Sequence, residues 1–386
     1  LNPIFADLPT SIFEEMSMLA RRHAAINLGQ GFPDDPGPAD VRQKAAEAVV
    51  GGWNQYPPMM GLPELRDAIA AHYRRHQGLA IDANAEVMVT SGATEAIAGA
   101  LLATIAPGDE VVLFEPAYDA YLPLVLRAGG VPKFVKLAPP DWRFDLGRLQ
   151  AAIGPKTRAV LFNNPLNPAG SVYDAGDLAI LAAALAGTPA IVIADEVWEH
   201  VLFDGRRHTS VLAVPELRSR SVKIGSAGKI FNLTGWKVGF VVADPALLKV
   251  LAKAHQYITF TTPPNLQAAV AYGLGKAPDH FEAMRADLQA RRDHLQLGLE
   301  QAGFAVLPSA GTYFLNVDLA PQGLGDDAAF CRRMVAEAGV AAIPVSAFYA
   351  KADMRSTIRF CFAKNYATLD AAVERLTANA AKLLGA

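Results

Sequence analysis

Short apolar runs recur between about residues 85 and 245, separated by stretches with helical periodicity. They are Val87-Met88-Val89, Glu110 to Phe114, Val131 to Val135, Ala159 to Phe162, Ala190 to Ala194, Val222 to Gly225 and Val238 to Val242. Each is bounded by Gly, Pro, Asn or Asp, and the pattern predicts strands buried on both faces with crossover helices between them. That alternation reads as an α/β domain around a mostly parallel sheet. Ligands of such sheets sit beyond the carboxyl ends of the strands, where the polar interruptions of this chain also fall.

From about Asp279 the pattern changes. A long charged helix runs through Arg285, Arg291 and Arg292, and short strands follow at Phe304 to Leu307 and Thr312 to Val317. Another helix, a strand at Thr357 to Phe362 and a last helix from Ala367 complete a smaller α+β domain. The first 35 or so residues hold one helical stretch, Thr10 to Arg22, and read as an arm. The expected division is an arm at 1–36, a large domain at 37–278 and a small domain at 279–386. A chain of 386 residues fits this, because single cores stop growing at roughly 250 to 300 residues.

Composition narrows the functional classes. With 52% hydrophobic and 19% charged residues the chain is neither disordered nor coiled coil. A net charge of -3 and the lack of a Lys/Arg stripe argue against nucleic acid, so any anionic ligand is met by local groups. Cys331 and Cys361 stand in apolar surroundings without metal-ligand spacing, and are expected to be buried thiols in a reducing compartment. No apolar run is long enough to span a membrane and the start does not read as a signal peptide, so a cytoplasmic protein without membrane or metal is expected.

The chemistry-bearing segments sit at predicted strand ends. Gly225-Ser226-Ala227-Gly228-Lys229 places a lysine in a Gly/Ser turn, with Lys237 following in Thr234-Gly235-Trp236-Lys237. A nearby cation and desolvation favour a neutral, nucleophilic amine, although Ser226-x-x-Lys229 also matches a hydrolase pattern and such turns are often plain loops. Asp195-Glu196 follows an apolar strand. It suits a magnesium nucleotide only with a phosphate loop that this chain lacks, and Asp195 suits pairing with a protonated pyridine nitrogen. Ser91-Gly92-Ala93-Thr94 opens a helix after a strand, and reads either as a phosphate site or as a helix capped by Ser91 or Thr94. Asn163-Asn164-Pro165-Leu166-Asn167-Pro168 is a Pro/Asn turn that can present a side-chain amide. Arg359, inside the apolar strand Ile358 to Phe362, needs an anionic partner: a substrate carboxylate or a structural salt bridge.

In this order the segments resemble class I, fold type I pyridoxal-phosphate-dependent aminotransferases from about Asn27 to the C-terminus. Gly29-Gln30-Gly31-Phe32-Pro33-Asp34, Asn54-Gln55-Tyr56, Glu115-Pro116-Ala117-Tyr118-Asp119 and Gly311-Thr312-Tyr313-Phe314 look like the kynurenine, glutamine and methionine aminotransferases, and like the N-succinyldiaminopimelate enzymes. The resemblance implies that Lys229 holds pyridoxal 5'-phosphate as an aldimine and moves the proton between substrate Cα and cofactor C4'. It implies that Asp195 pairs with the pyridine nitrogen, that Asn167 bonds the ring oxygen, and that Tyr118 stacks on the ring. Gly92, Ala93, Thr94, Ser226 and Lys237 would hold the phosphate, with Tyr56 reaching across a homodimer to the neighbouring subunit's phosphate. Arg359, Asn167 and the backbone near Gly31 would bind the substrate α-carboxylate. Trp198 departs from the usual Tyr, and its indole N–H is expected to donate to the ring oxygen in place of a phenol.

The implied reaction moves the α-amino group of an amino acid to a 2-oxo acid by a ping-pong mechanism through pyridoxamine phosphate. A cysteine-S-conjugate β-lyase uses the same apparatus and is the alternative. Phe32, Tyr121, Phe260 and Phe348 either line a side-chain pocket or pack in the core.

Overall fold

The computed structural model describes residues 1–6, 8–52, 54–351 and 354–385. Among them the strands, in chain order, are β1 (Ile26–Asn27), β2 (Val87–Thr90), β3 (Glu110–Glu115), β4 (Val131–Lys136), β5 (Thr157–Asn163), β6 (Ile191–Asp195), β7 (Ser221–Ser226), β8 (Gly239–Ala243), β9 (Ala305–Val306), β10 (Phe314–Asp318), β11 (Val340–Ala341), β12 (Ile343–Pro344) and β13 (Thr357–Cys361).

Every apolar run expected between residues 85 and 245 is a strand of one seven-stranded sheet, ordered β2-β8-β7-β6-β5-β3-β4 and flanked by helices. Val192, Ile193 and Ala194 of β6 and Val222 and Ile224 of β7 are fully buried, as central strands covered on both faces must be. The edge strand β4 departs from that expectation. Paired on one side only, it leaves Val131 exposed and buries Val135.

All pairings in this sheet are parallel except those of β8, which runs antiparallel to β7 and β2. This reversal matters for the site. The segment between β7 and β8 leaves the carboxyl edge of the sheet and returns to that same edge, which brings Lys229 and Lys237 there together. Asn163 and Asp195 are register partners at the ends of β5 and β6, and Ser226, ending β7, pairs with Gly239.

The C-terminal part forms an antiparallel sheet, β12-β13-β10-β9, with the long helix Pro278–Gln301 and the helices Asp327–Ala338 and Tyr366–Ala378. The strand expected from Thr312 begins only at Phe314, because Thr312 takes a left-handed backbone (φ 70°) that an extended ladder does not accommodate. In the arm, the helix is Ile12–Arg22, starting after Ser11, whose hydroxyl accepts the Glu14 N–H at 3.3 Å. Beyond it β1 pairs in parallel with β11, and Leu28 O accepts the Cys361 N–H at 2.7 Å. These bonds fix the backbone of Gly29 to Gly31 beside β13, the strand that carries Arg359.

Candidate active site

A cavity of about 350 Å³ opens where the carboxyl ends of β5, β6 and β7 meet the arm and β13. Its lining includes Gly31, Gly92, Ala93, Thr94, Tyr118, Asn167, Asp195, Trp198, Ser226, Lys229, Lys237 and Arg359. The remaining site residue expected from sequence, Tyr56, lies outside: it is 81% exposed and packs edge-on against Phe260 at 5.7 Å.

Lys229 sits in the short helix Ala227–Ile230 that follows β7. Its Nζ donates a long hydrogen bond to Gly31 O (3.4 Å) and stands 4.4 Å from the centre of the buried Trp198 ring, which Tyr313 meets edge-on at 4.7 Å. Among the described residues no carboxylate pairs with it. Burial, helped by the charges of Arg359 and Lys237, outweighs the opposing pull of Asp195 and Cys361 and lowers its pKa from 10.5 to about 8. An amine so placed is partly neutral near physiological pH and able to act as a nucleophile. The hydrogen bond of Lys229 goes to Gly31, not to Ser226, so the hydrolase reading of Ser226-x-x-Lys229 loses its required contact.

Asp195 ends β6 and is 6% exposed. Tyr121 donates to its Oδ2 at 2.5 Å and the Val197 N–H to its Oδ1 at 3.4 Å. Burial still raises its carboxyl pKa, with Tyr121 pulling the other way. A desolvated carboxylate at a cavity wall, without a cation in pairing distance among the described residues, is suited to receive one from a ligand. Behind it Asn163 locks two segments together, donating to Asp195 O at 2.8 Å and accepting the Asn167 N–H at 2.7 Å.

The loop after β2 leads into a helix start that could receive an anion. Gly92 is the N-cap of the helix Ala93–Thr104 and carries no side-chain cap, so neither Ser91 nor Thr94 caps this helix; Ser91 instead contacts Thr262 through its hydroxyl at 3.2 Å. The first N–H groups of the helix therefore face outward with the positive end of its dipole. Gly92 has φ 81°, and a Cβ there would lie 3.2 Å from Lys237 Nζ; a Cβ on Gly239 would lie 2.5 Å from the Gly92 carbonyl carbon. Only glycine at both positions lets these two segments approach so closely. Tyr118 also lines this part of the cavity, and burial pushes its phenol to about 12.

Arg359 is 1% exposed. Its Nη1 donates to Asn167 Oδ1 at 3.1 Å and its Nη2 to Gly29 O at 3.0 Å, while Nε lacks a partner. The guanidinium lies 3.8 Å from the centre of the Phe314 ring, with Phe348 and Phe13 at 5.1 and 5.3 Å. No carboxylate pairs with it among the described residues, which removes the structural salt bridge as its explanation. Burial lowers its pKa to about 10, so it stays cationic at neutral pH and is poised for an incoming anion. With the Asn167 oxygen taken by Arg359, the amide NH₂ is the group left to donate.

The aromatic candidates separate. Phe32 lines the cavity, Tyr121 is buried as the partner of Asp195, Phe348 packs near Arg359, and Phe260 stands beside the exposed Tyr56. Sequence reading did not assign Phe13, Phe314, Asn163 or Asp119 to this site. Asn163, Asp119 and Phe314 lay inside quoted motifs, whereas Phe13 carries no sequence signal that separates it from core residues.

The residues fit pyridoxal 5'-phosphate: an uncapped helix start and Lys237 for phosphate, a desolvated carboxylate for a cationic ring nitrogen, and a partly neutral lysine for an aldehyde. Comparison with known proteins agrees. Residues 24–376 match the family described as aminotransferase class I and II. The chain is 44% identical over 369 residues to the methionine aminotransferase of Escherichia coli, covering 96% of each. A solved Escherichia coli structure with methionine aminotransferase function superposes with a TM-score of 0.93 at 44% identity, covering 96% of this chain and 97% of that one. The solved N-succinyldiaminopimelate aminotransferase of Mycobacterium tuberculosis gives 0.94 at 44% identity, covering 97% and 98%. The human kynurenine–oxoglutarate transaminase 1 is 35% identical over 396 residues, 94% of each chain. The chain belongs to the class I and II aminotransferases, enzymes that use pyridoxal 5'-phosphate to move an amino group between an amino acid and a 2-oxo acid.

Proposed function

We propose that this aminotransferase acts on amino acids with uncharged, largely apolar side chains, with Lys229 as the amine that carries the cofactor and the proton. The observation that supports this most is the presence in one cavity of two buried basic groups, Lys229 and Arg359, neither paired with a carboxylate among the described residues. Arg359 receives the substrate α-carboxylate through its fork, and Asn167 and the backbone near Gly31 complete that pocket. Pyridoxal 5'-phosphate, when bound, supplies the electron sink that the side chains lack. Asp195 would pair with its ring nitrogen, Tyr118 would pack against the ring, and Asn167 and the Trp198 indole N–H would hold the ring oxygen. Gly92, Ala93, Thr94, Ser226 and Lys237 hold the phosphate. Lys229 takes the proton from the substrate α-carbon and delivers it at C4', a role open to a lysine whose pKa is about 8.

Phe13, Phe32, Ile97, Trp198 and Phe314 contribute apolar walls to the cavity, which supports an uncharged side chain and agrees with the methionine aminotransferase relative. The protein works as a two-fold dimer in which Tyr56 reaches the partner's phosphate. Its 81% exposure, in ring contact with the exposed Phe260, supports a covering surface. A cytoplasmic setting is supported by Cys331 and Cys361, both buried and free, and among the described residues no helix is long and apolar enough to cross a membrane.

Single-turnover absorbance of the loaded enzyme, mixed with one amino acid at a time, tests the substrate reading. Methionine and aromatic amino acids should react at least about tenfold faster than aspartate, each yielding one equivalent of 2-oxo acid per site. Faster reaction of aspartate or N-succinyldiaminopimelate would contradict the uncharged pocket, and continuous pyruvate release from cysteine conjugates without an acceptor would identify a lyase.

A further inference from the structure

Behind the cavity lies a charged cluster that the chemistry above leaves unused. Lys223 Nζ is 2.5 Å from Glu196 Oε2 and 2.8 Å from Glu199 Oε2, and the most exposed of the three residues is only 4% accessible. Glu196 also accepts from the Val211 N–H at 2.8 Å and meets His208 Nε2 at 2.8 Å. Glu199 accepts from the Tyr73 hydroxyl at 2.9 Å and from Gln77 at 2.5 Å.

The segment that carries these carboxylates has two faces. Asp195, Val197 and Trp198 line the cavity, while Glu196 and Glu199 point into the cluster and His200 Nε2 meets His72 Nε2 at 2.8 Å. Lys223 stands on β7 opposite Ala194, one register step before Asp195 pairs with Ile224. One ammonium here faces two buried carboxylates, and removing it would leave buried negative charge without its partner. Burial by itself would raise the Glu196 carboxyl, yet Lys223 and His208 hold it at about 2.

We infer that Lys223 is a positioning residue for the cofactor site: its charge cancels that of Glu196 immediately behind Asp195 and so keeps Asp195 ionised toward the ring nitrogen. This rests on the reading that Asp195 pairs with that nitrogen. The groups that face Asp195 are the Tyr121 and Tyr118 phenols, Lys229 from the turn after β7, and Glu196 on its own segment. Those around Lys223 are Glu196, Glu199, His208, and His72 and Tyr73 of the helix Pro63–Gln77. Of the groups facing Asp195, Glu196 is the anion that opposes its ionisation, and Lys223 is the cation bound to it.

The test is the dissociation constant of pyridoxal 5'-phosphate from the apoprotein, measured against pH for Lys223→Met, Glu196→Gln, the double variant and Asp195→Asn. Lys223→Met should move the acidic fall-off in affinity upward by about one pH unit, so that binding on the acidic side of the parent's fall-off weakens about tenfold. Glu196→Gln should move that fall-off downward, and the double variant should return to within about threefold of the parent, because cancelling charges rescue where two structural lesions would add. Unchanged affinity in Lys223→Met, or additive losses in the double variant, overturns the inference. If Lys223→Met does not fold, the direction of the Glu196→Gln shift decides, an upward shift being the contrary result. Asp195→Asn separates the two layers. Parent-like affinity and pH profile in that variant would sink the reading of Asp195 itself, whereas a loss there beside an unmoved Lys223→Met sinks only the role of Lys223.

Discussion

The Tyr121 hydroxyl donates to Asp195 Oδ2 at 2.5 Å in a pocket where the tyrosine is 3% and the aspartate 6% exposed. Burial raises the Asp195 carboxyl pKa and this bond restrains it. Tyr121→Phe removes one oxygen and leaves the ring packing, so the carboxyl pKa should rise further. Hydrogen bonds to charged groups contribute about 1.5 to 3 kcal/mol, which corresponds to a loss of cofactor affinity of about tenfold or more. A cofactor titration of the apoprotein across pH 5 to 9 checks it, with the acidic fall-off displaced upward.

Arg359 binds Asn167 and Gly29 with two of its nitrogens, and a lysine cannot reproduce that fork. Arg359→Lys should lower kcat/KM for the amino acid by about a hundredfold, an effect on the order of 3 kcal/mol, while cofactor affinity stays within a few fold. Steady-state kinetics beside a cofactor titration separates the two effects.

Gly92 combines φ 81° with a site where a Cβ would come within 3.1 Å of Lys237 Cε. Gly92→Ala should cost about 1 to 2 kcal/mol of stability from left-handed strain and push Lys237 off the helix start. Thermal unfolding of the apoprotein gives the first quantity. Cofactor affinity should fall by more than the stability loss alone accounts for, and free phosphate should compete less well.

Much of this organisation was legible in the sequence because buried parallel strands announce themselves as apolar runs, and because Asp195, Asn167, Lys229 and Arg359 interrupt such runs with groups that a plain core does not hold. Tyr121 was visible only as an aromatic residue, since its partner Asp195 is 74 residues away and nothing local links them. The meeting of Arg359 with Asn167, 192 residues apart, was reachable only through the family resemblance, and the convergence of Lys223 with Glu199 was not seen at all. The antiparallel course of β8 was equally hidden. An apolar run gives burial without direction, and direction here follows from a segment that returns to the edge it left.

Lys229 has its pKa lowered from 10.5 to about 8 by burial. At pH 7 about a tenth of it is then neutral, against roughly three parts in ten thousand for an ordinary lysine. Covalent attachment of cofactor to the apoprotein should therefore quicken about fivefold from pH 7 to pH 8 and level off above pH 9. An ordinary lysine would keep accelerating beyond pH 10.

Borohydride reduction of the loaded protein, followed by peptide mapping, shows which lysine bears the cofactor. The pyridoxyl group should be found on Lys229, and Lys229→Ala should bind the cofactor without becoming labelled and without turnover. A label on Lys237, or one that persists in Lys229→Ala, would contradict the site described here.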